Sequence, residues 1–136
     1  MVALCERLQD VNEAGTYRLN CPLDDLRAAA AKAGIALFEA DLAAVQGKGE
    51  FLAAIAQAIR APDWFGTNWD ALADALGDLS WPHVSGQVAG GYVLLLRNGG
   101  DTLGLSVAEH EIATEIFAGT VSFWKSQGKP FWVLFC

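Results

Sequence analysis

The run Tyr92-Val93-Leu94-Leu95-Leu96-Arg97, together with a second run, Phe131-Trp132-Val133-Leu134-Phe135-Cys136, decides how this sequence reads. Both have strand length. Neither alternates apolar with polar residues, as a strand with one wet face does. Continuous apolar strands are expected where a sheet is covered on both sides, the usual state of a parallel sheet. Both runs fall far short of the roughly 18 residues a membrane span needs, so no membrane segment is expected.

Working outward, helical and strand patterns alternate. Gly15–Asn20 sets Tyr17 and Leu19 between polar residues and reads as a strand, with Val2–Leu8 as a possible hairpin partner. Pro22 breaks it. Asp24 and Asp25 then open an alanine-rich helix to Ala33, with Lys32 in its last turn, matching the helix dipole, and Gly34 as its stop. Ile35–Leu42 is strand-like. Glu50–Arg60 repeats Phe51, Leu52, Ile55 and Ile59 at helical spacing. A third helix is expected from about Asn68 to Leu79, with Thr67 and Asp70 as a capping box, and a loop follows through Pro82 to Gly91. Ser106 and Glu109 open a last helix to about Gln127, with Gly119 a candidate interruption. The expectation is an α/β fold with a small, mainly parallel sheet packed with helices.

The chain has 136 residues, is 53% hydrophobic and 18% charged, and carries a net charge of −7. That suits a single domain with one core. The acidity argues against nucleic-acid binding and favours a basic partner. Cys5, Cys21 and Cys136 are an odd count without CxxC spacing, so neither a disulfide framework nor a zinc site is expected, and a reducing cytoplasm is the default location. Residues Met1–Asp10 include acids and lack a signal peptide's apolar core. His83 and His110 lie apart from any cysteine, no GxSxG occurs, and Gly47-Lys48-Gly49 lacks phosphate-loop spacing. No catalytic residue, metal ligand or cofactor site is expected.

Between Arg60 and Arg97 there is no Lys or Arg. In that gap stand Asp63, Asp70, Asp74 and Asp78, with Trp64, Phe65, Trp69 and Trp81. On a helix, Trp69, Leu72, Ala73 and Leu76 form one stripe, while Asp70, Asp74 and Asp78 fall on the other side. The apolar stripe must face the core, so the acids face out. Like charges at i,i+4 cost about 0.2–0.5 kcal/mol each. A solvated charged face is one reading. Aromatics beside charge are also how interface anchors look. Of the consecutive rings, Phe65 is expected to point inward and Trp64 outward.

The stretch Pro62-Asp-Trp-Phe-Gly-Thr-Asn-Trp-Asp-Ala-Leu-Ala-Asp-Ala-Leu-Gly-Asp-Leu79 resembles the signature of the barstar family of ribonuclease inhibitors: a proline, an aromatic pair, Gly-x-Asn, then an Asp-Ala-Leu helix with a second Asp. The resemblance extends over residues 35–136, leaving 1–34 as an N-terminal extension of a single domain. It implies a cytoplasmic immunity protein, monomeric when free, that protects a bacterial-type producing cell as in a toxin–antitoxin pair. Its partner would be a basic, barnase-like ribonuclease. Carried over by position, Asp74 enters the nuclease's phosphate site with Asp70 beside it, and Trp64, Phe65, Gly66, Thr67 and Asn68 form the contact loop, with Ala73 and Asp78 on the same helix. Three positions depart from the family pattern. Ala73 stands where a large aromatic is known, Trp69 replaces an aliphatic residue, and Val121–Gln127 holds Lys125 and no acid. The alternative is a non-inhibitory interaction or regulatory domain of the same fold with another basic partner. Three carboxylates sharing a divalent cation is a further reading that the splay of the acids disfavours.

Overall fold

The computed structural model describes residues 4–61, 68–84 and 86–136. A four-stranded, all-parallel sheet organises the chain, in the order β1-β6-β5-β2. Its strands are β1 (Thr16–Arg18), β2 (Ile35–Asp41), β5 (Gly91–Arg97) and β6 (Phe131–Phe135). The helices are α1 (Leu23–Ala33), α2 (Lys48–Ile59), α3 (Trp69–Asp78) and α4 (Val107–Ser126). The expected α/β class and parallel sheet are therefore what the chain adopts.

Chain direction explains which face each helix covers. From β2 to β5 to β6 the chain steps one way across the sheet, and right-handed crossovers put α2, α3 and α4 on one face. From β1 to β2 it crosses the other way, so α1 lands on the opposite face. Two cores result. The larger buries Phe38, Tyr92, Leu94 and Val133 under Phe51, Leu72, Leu76 and Phe117. The smaller buries Val93, Leu95, Trp132 and Leu134 under Leu26, Ala30 and Leu8. Alternate residues of β5 thus serve different cores, which is why Tyr92–Leu96 is apolar throughout.

Four local expectations need correction. Among the described residues no hairpin pairs 4–8 with β1, and residues 2 and 3 of the expected Val2–Leu8 partner lie outside them. Leu4–Glu6 is a turn of 3-10 helix, and β1 pairs in parallel with β6, Thr16 opposite Val133. The strand is held there because Gly15 accepts a bond from Val133 N–H (3.0 Å), while Leu19 N–H donates to Phe135 (2.8 Å). Cys5 and Cys21 are joined in a disulfide, their Cα atoms 6.6 Å apart across a separation of 16 residues. The fold brings the 3-10 turn back against the start of α1, a long-range closure with no spacing signature, and Cys136 alone is a free thiol. Gly119 does not interrupt α4, whose glycine faces open space. The loop after α3 contains a short antiparallel hairpin, β3 (His83–Val84) with β4 (Gln87–Val88). Two expected signals hold: Gly34 ends α1 at φ 72°, and Ser106 with Glu109 forms the capping box of α4.

Candidate functional site

Helix α3 is anchored on its inner side by aromatic residues from three elements. Trp124 of α4 donates its indole N–H to Leu76 O at 2.7 Å. The Tyr92 hydroxyl of β5 donates to Leu79 O at 3.3 Å. The Trp69 ring packs 6.0 Å from Phe51 of α2. Leu72, Ala75 and Leu76 have no measurable exposure. Each bond to a backbone carbonyl fixes the axial position of the helix as well as its rotation, since the accepting atom moves with the backbone.

The N-terminus is capped by Asn68, whose side-chain oxygen accepts the Ala71 N–H at 2.7 Å. The cap therefore falls one residue after Thr67, where the sequence suggests it. Asn68 has the extended backbone a cap needs (φ −138°, ψ 168°), and such a cap contributes about 1 kcal/mol. The helical wheel needs one correction as well. Ala73 is exposed, and Ala75 takes its place in the buried stripe. The stripe centres on Leu72, Ala75, Leu76 and Leu79, and Trp69 lies at its edge, half-buried.

Opposite that stripe, Asp70, Asp74 and Asp78 are all exposed. Among the described residues none of the three lies within ion-pair distance of a cation. Asp78 is close enough to Tyr92 for its charge, after burial, to help push the phenol above its ordinary pKa. The face is thus a ridge of carboxylates about one helical turn apart, with no cation paired to it among the described residues. Trp64, Phe65, Gly66 and Thr67 lie outside the described residues, as does Asp63. The rigid mount of the acidic ridge and the cap at Asn68 are what the structure brings together.

Sequence reasoning overlooks Lys48 here. Its ammonium sits 5.8 Å from the centre of the Trp69 ring, a cation–π contact at the border of the acidic helix. The signal was the pair itself, a lysine at the start of α2 and a tryptophan at the start of α3, which no periodicity links. Among the described residues no group of three or more His, Cys, Asp or Glu side chains converges as a metal site would, and no helix is long and apolar enough to cross a membrane.

Comparison with protein families gives a match over most of the chain. The model of the family described as Barstar (barnase inhibitor) aligns with residues 35–136. The chain belongs to the barstar family. The match spans β2 through β6, including the whole of α3, and begins at the boundary where the resemblance begins. Barstar-family proteins are ribonuclease inhibitors rather than enzymes, and their partners are barnase-like ribonucleases. No curated protein shows a significant match to the chain.

Proposed function

We propose that this barstar-family chain blocks a basic, extracellular-type ribonuclease by plugging its active site with the acidic face of α3 and the aromatic loop 62–67 that leads into it. The observation that carries the reading is the ridge of Asp70, Asp74 and Asp78, rigidly mounted and without a cation partner among the described residues. A ribonuclease cleaves an anionic backbone, so its active site must offer cations to phosphate oxygens. A carboxylate presents the same planar pair of acceptors to an arginine fork. In this reading Asp74 occupies the phosphate site, Asp70 lies beside it, and Asp78 and Ala73 border the contact. Asn68 caps the helix, and in this reading Trp64, Phe65, Gly66 and Thr67 contribute to the contact. The chain performs no chemistry and acts as a monomer.

Cytoplasmic action is part of the proposal. Both disulfide cysteines lie in residues 4–34, outside the family match, so opening that bond in a reducing compartment leaves the acidic helix on its own core.

The test is titration of a barnase-type ribonuclease with the chain while RNA cleavage is followed. Activity should fall linearly to zero at one equivalent. The association rate should drop steeply once salt passes about 0.15 M, where the Debye length is about 8 Å. Undiminished cleavage at excess chain overturns the reading. Salt-sensitive binding to a different basic protein under those conditions favours an interaction domain instead.

A further inference from the structure

The C-terminal end of α3 lacks the charge that such an end favours. The last carbonyls of a helix have no partner within it, and that end of the macrodipole is negative, so a lysine or arginine in the last turn is stabilising. α3 has neither there and carries Asp78 instead. It closes on Leu79, a non-glycine residue with left-handed backbone at φ 43°. Two carbonyls of this end, Leu76 O and Leu79 O, are taken by neutral donors, the Trp124 indole N–H and the Tyr92 hydroxyl.

One cation stands behind both donors. The ammonium of Lys129 is 5.8 Å from the centre of the Tyr92 ring and 5.8 Å from that of the Trp124 ring, inside the roughly 6 Å reach of a cation–π contact. The two ring centres are 4.9 Å apart and the planes are tilted by 55°, so one charge serves both. The main chain sets this placement. Gly128, at φ 75°, reverses the chain after α4, and Lys129 N–H donates back to Trp124 O at 2.9 Å. The Lys129 ammonium also donates to Ala89 O at 3.0 Å. Lys129 is half-buried and, among the described residues, lies beyond ion-pair distance of every acid.

We propose that Lys129 is a positioning residue for the acidic ridge, acting through the Trp124 and Tyr92 rings on the last carbonyls of α3. A cation on the face of a ring draws π density toward itself and leaves the N–H or O–H at the rim a stronger donor, as in any polarised chain of hydrogen bonds. The charge that the end of α3 lacks is thus supplied at one remove. This placement matters for the ridge. A lysine on the last turn itself would be free to pair with Asp78, or with Asp74 one turn back, and would occupy the carboxylates that a partner needs. A lysine behind two rings supports the same carbonyls and leaves the acids unpaired. The consequence for a nuclease rests on the inhibitor reading above, whereas the positioning of α3 is a property of the free chain.

Two substitutions separate the charge of Lys129 from its packing. Lys129→Met keeps the apolar stem and removes the ammonium, and Lys129→Arg keeps a cation that can lie on the rings. In the free protein, exchange of the amides of residues 76–79 and of the Trp124 indole N–H should quicken about threefold or more in Lys129→Met. The amides of α1, on the other face of the sheet, should be unchanged, and Lys129→Arg should stay near wild type. Unchanged exchange at residues 76–79 in Lys129→Met overturns the proposal. So does a change confined to residues 87–91, which makes Lys129 a tie to Ala89 alone. Equal quickening in both variants, or throughout the sheet, overturns it as well, because packing and not charge is then at work. Against a ribonuclease that the wild type inhibits, Lys129→Met should dissociate about three- to tenfold faster. Faster exchange in α3 with dissociation unchanged overturns the role toward the ridge. A wild type that inhibits no ribonuclease overturns the inhibitor reading instead, and the exchange rates then decide the positioning of α3 by themselves.

Discussion

Two groups of carboxylates in this molecule meet opposite fates. Glu39 and Asp41 on β2 are neutralised from within. Arg27 grips Glu39 with two nitrogens, at 3.0 and 2.8 Å, Arg97 stands 3.8 Å away, and Asn98 donates to Asp41 at 3.1 Å. The hydrogen bond from Arg27, reinforced by the charges of Arg27 and Arg97, holds Glu39 below the usual carboxylate range. The bond from Asn98, with the Ala43 N–H, does the same for Asp41. Asp70, Asp74 and Asp78 on α3 carry the same chemistry and receive no such partner among the described residues. The first group stabilises the fold. The second repels itself along one helix face, and that modest local cost fits a surface whose partner is another molecule. Ion pairs and their absence therefore separate the two roles better than acidity does.

The sharpest way to break this contrast is Asp74→Ala. Thermal stability should stay within about 0.5 kcal/mol or rise slightly, while affinity for a cognate ribonuclease falls by about 2–5 kcal/mol, since a desolvated nuclease cation loses its partner. Calorimetric melting and inhibition titration check the two halves, and unfolding of the variant would make Asp74 structural. A smaller effect is expected at Glu39→Gln, which should cost up to about 1 kcal/mol at neutral pH, because the pair is partly solvent-screened. Its pH dependence has a definite sign. Glu39 ionises more readily folded than unfolded, so its contribution is present above the ordinary value of about 4.3 and vanishes as pH falls through the folded value below it. Urea melts at neutral and acid pH should show wild type losing stability on acidification more steeply than Glu39→Gln, with nuclease binding unchanged. Smallest of all, Asp78→Asn should raise stability by a few tenths of a kcal/mol, as it removes a negative charge near the C-terminal end of α3 and one i,i+4 repulsion. A fall in stability on the same melt would assign Asp78 a structural partner.

The sequence showed those features that depend on local pattern. The apolar runs at Tyr92 and Phe131 foretold a sheet covered on both faces, because each side chain of a strand must find a core on its own side. The acidic stripe of α3 followed from helical geometry, and Asp74 stands where that geometry put it. Local pattern ran out where a neighbour decides. Ala73 looked buried because Trp69 marked the stripe, but Trp124 and Tyr92 pull α3 round so that Ala75 packs instead. The cap shifted to Asn68, whose side-chain oxygen accepts the Ala71 N–H. The Cys5–Cys21 bond and the parallel pairing of β1 are long-range closures, set by where β6 ends up and unreadable from residue spacing.

The placement of β1 against β6 also sets an order of events in time. The Trp132 indole donates to Leu8 O across 124 positions, and among the described residues β1 has no neighbour in the sheet except β6. A chain made from its amino end carries residues 4–18 into water long before their partners exist. The smaller core, which needs Leu8, Val93 and Trp132 together, closes only after β6 emerges, whereas β2, α2, α3 and β5 have each other at hand earlier. Residues 4–18, made well before β6, are thus among the last of these elements to dock, and the acidic helix can take shape while they are still waiting for their strand.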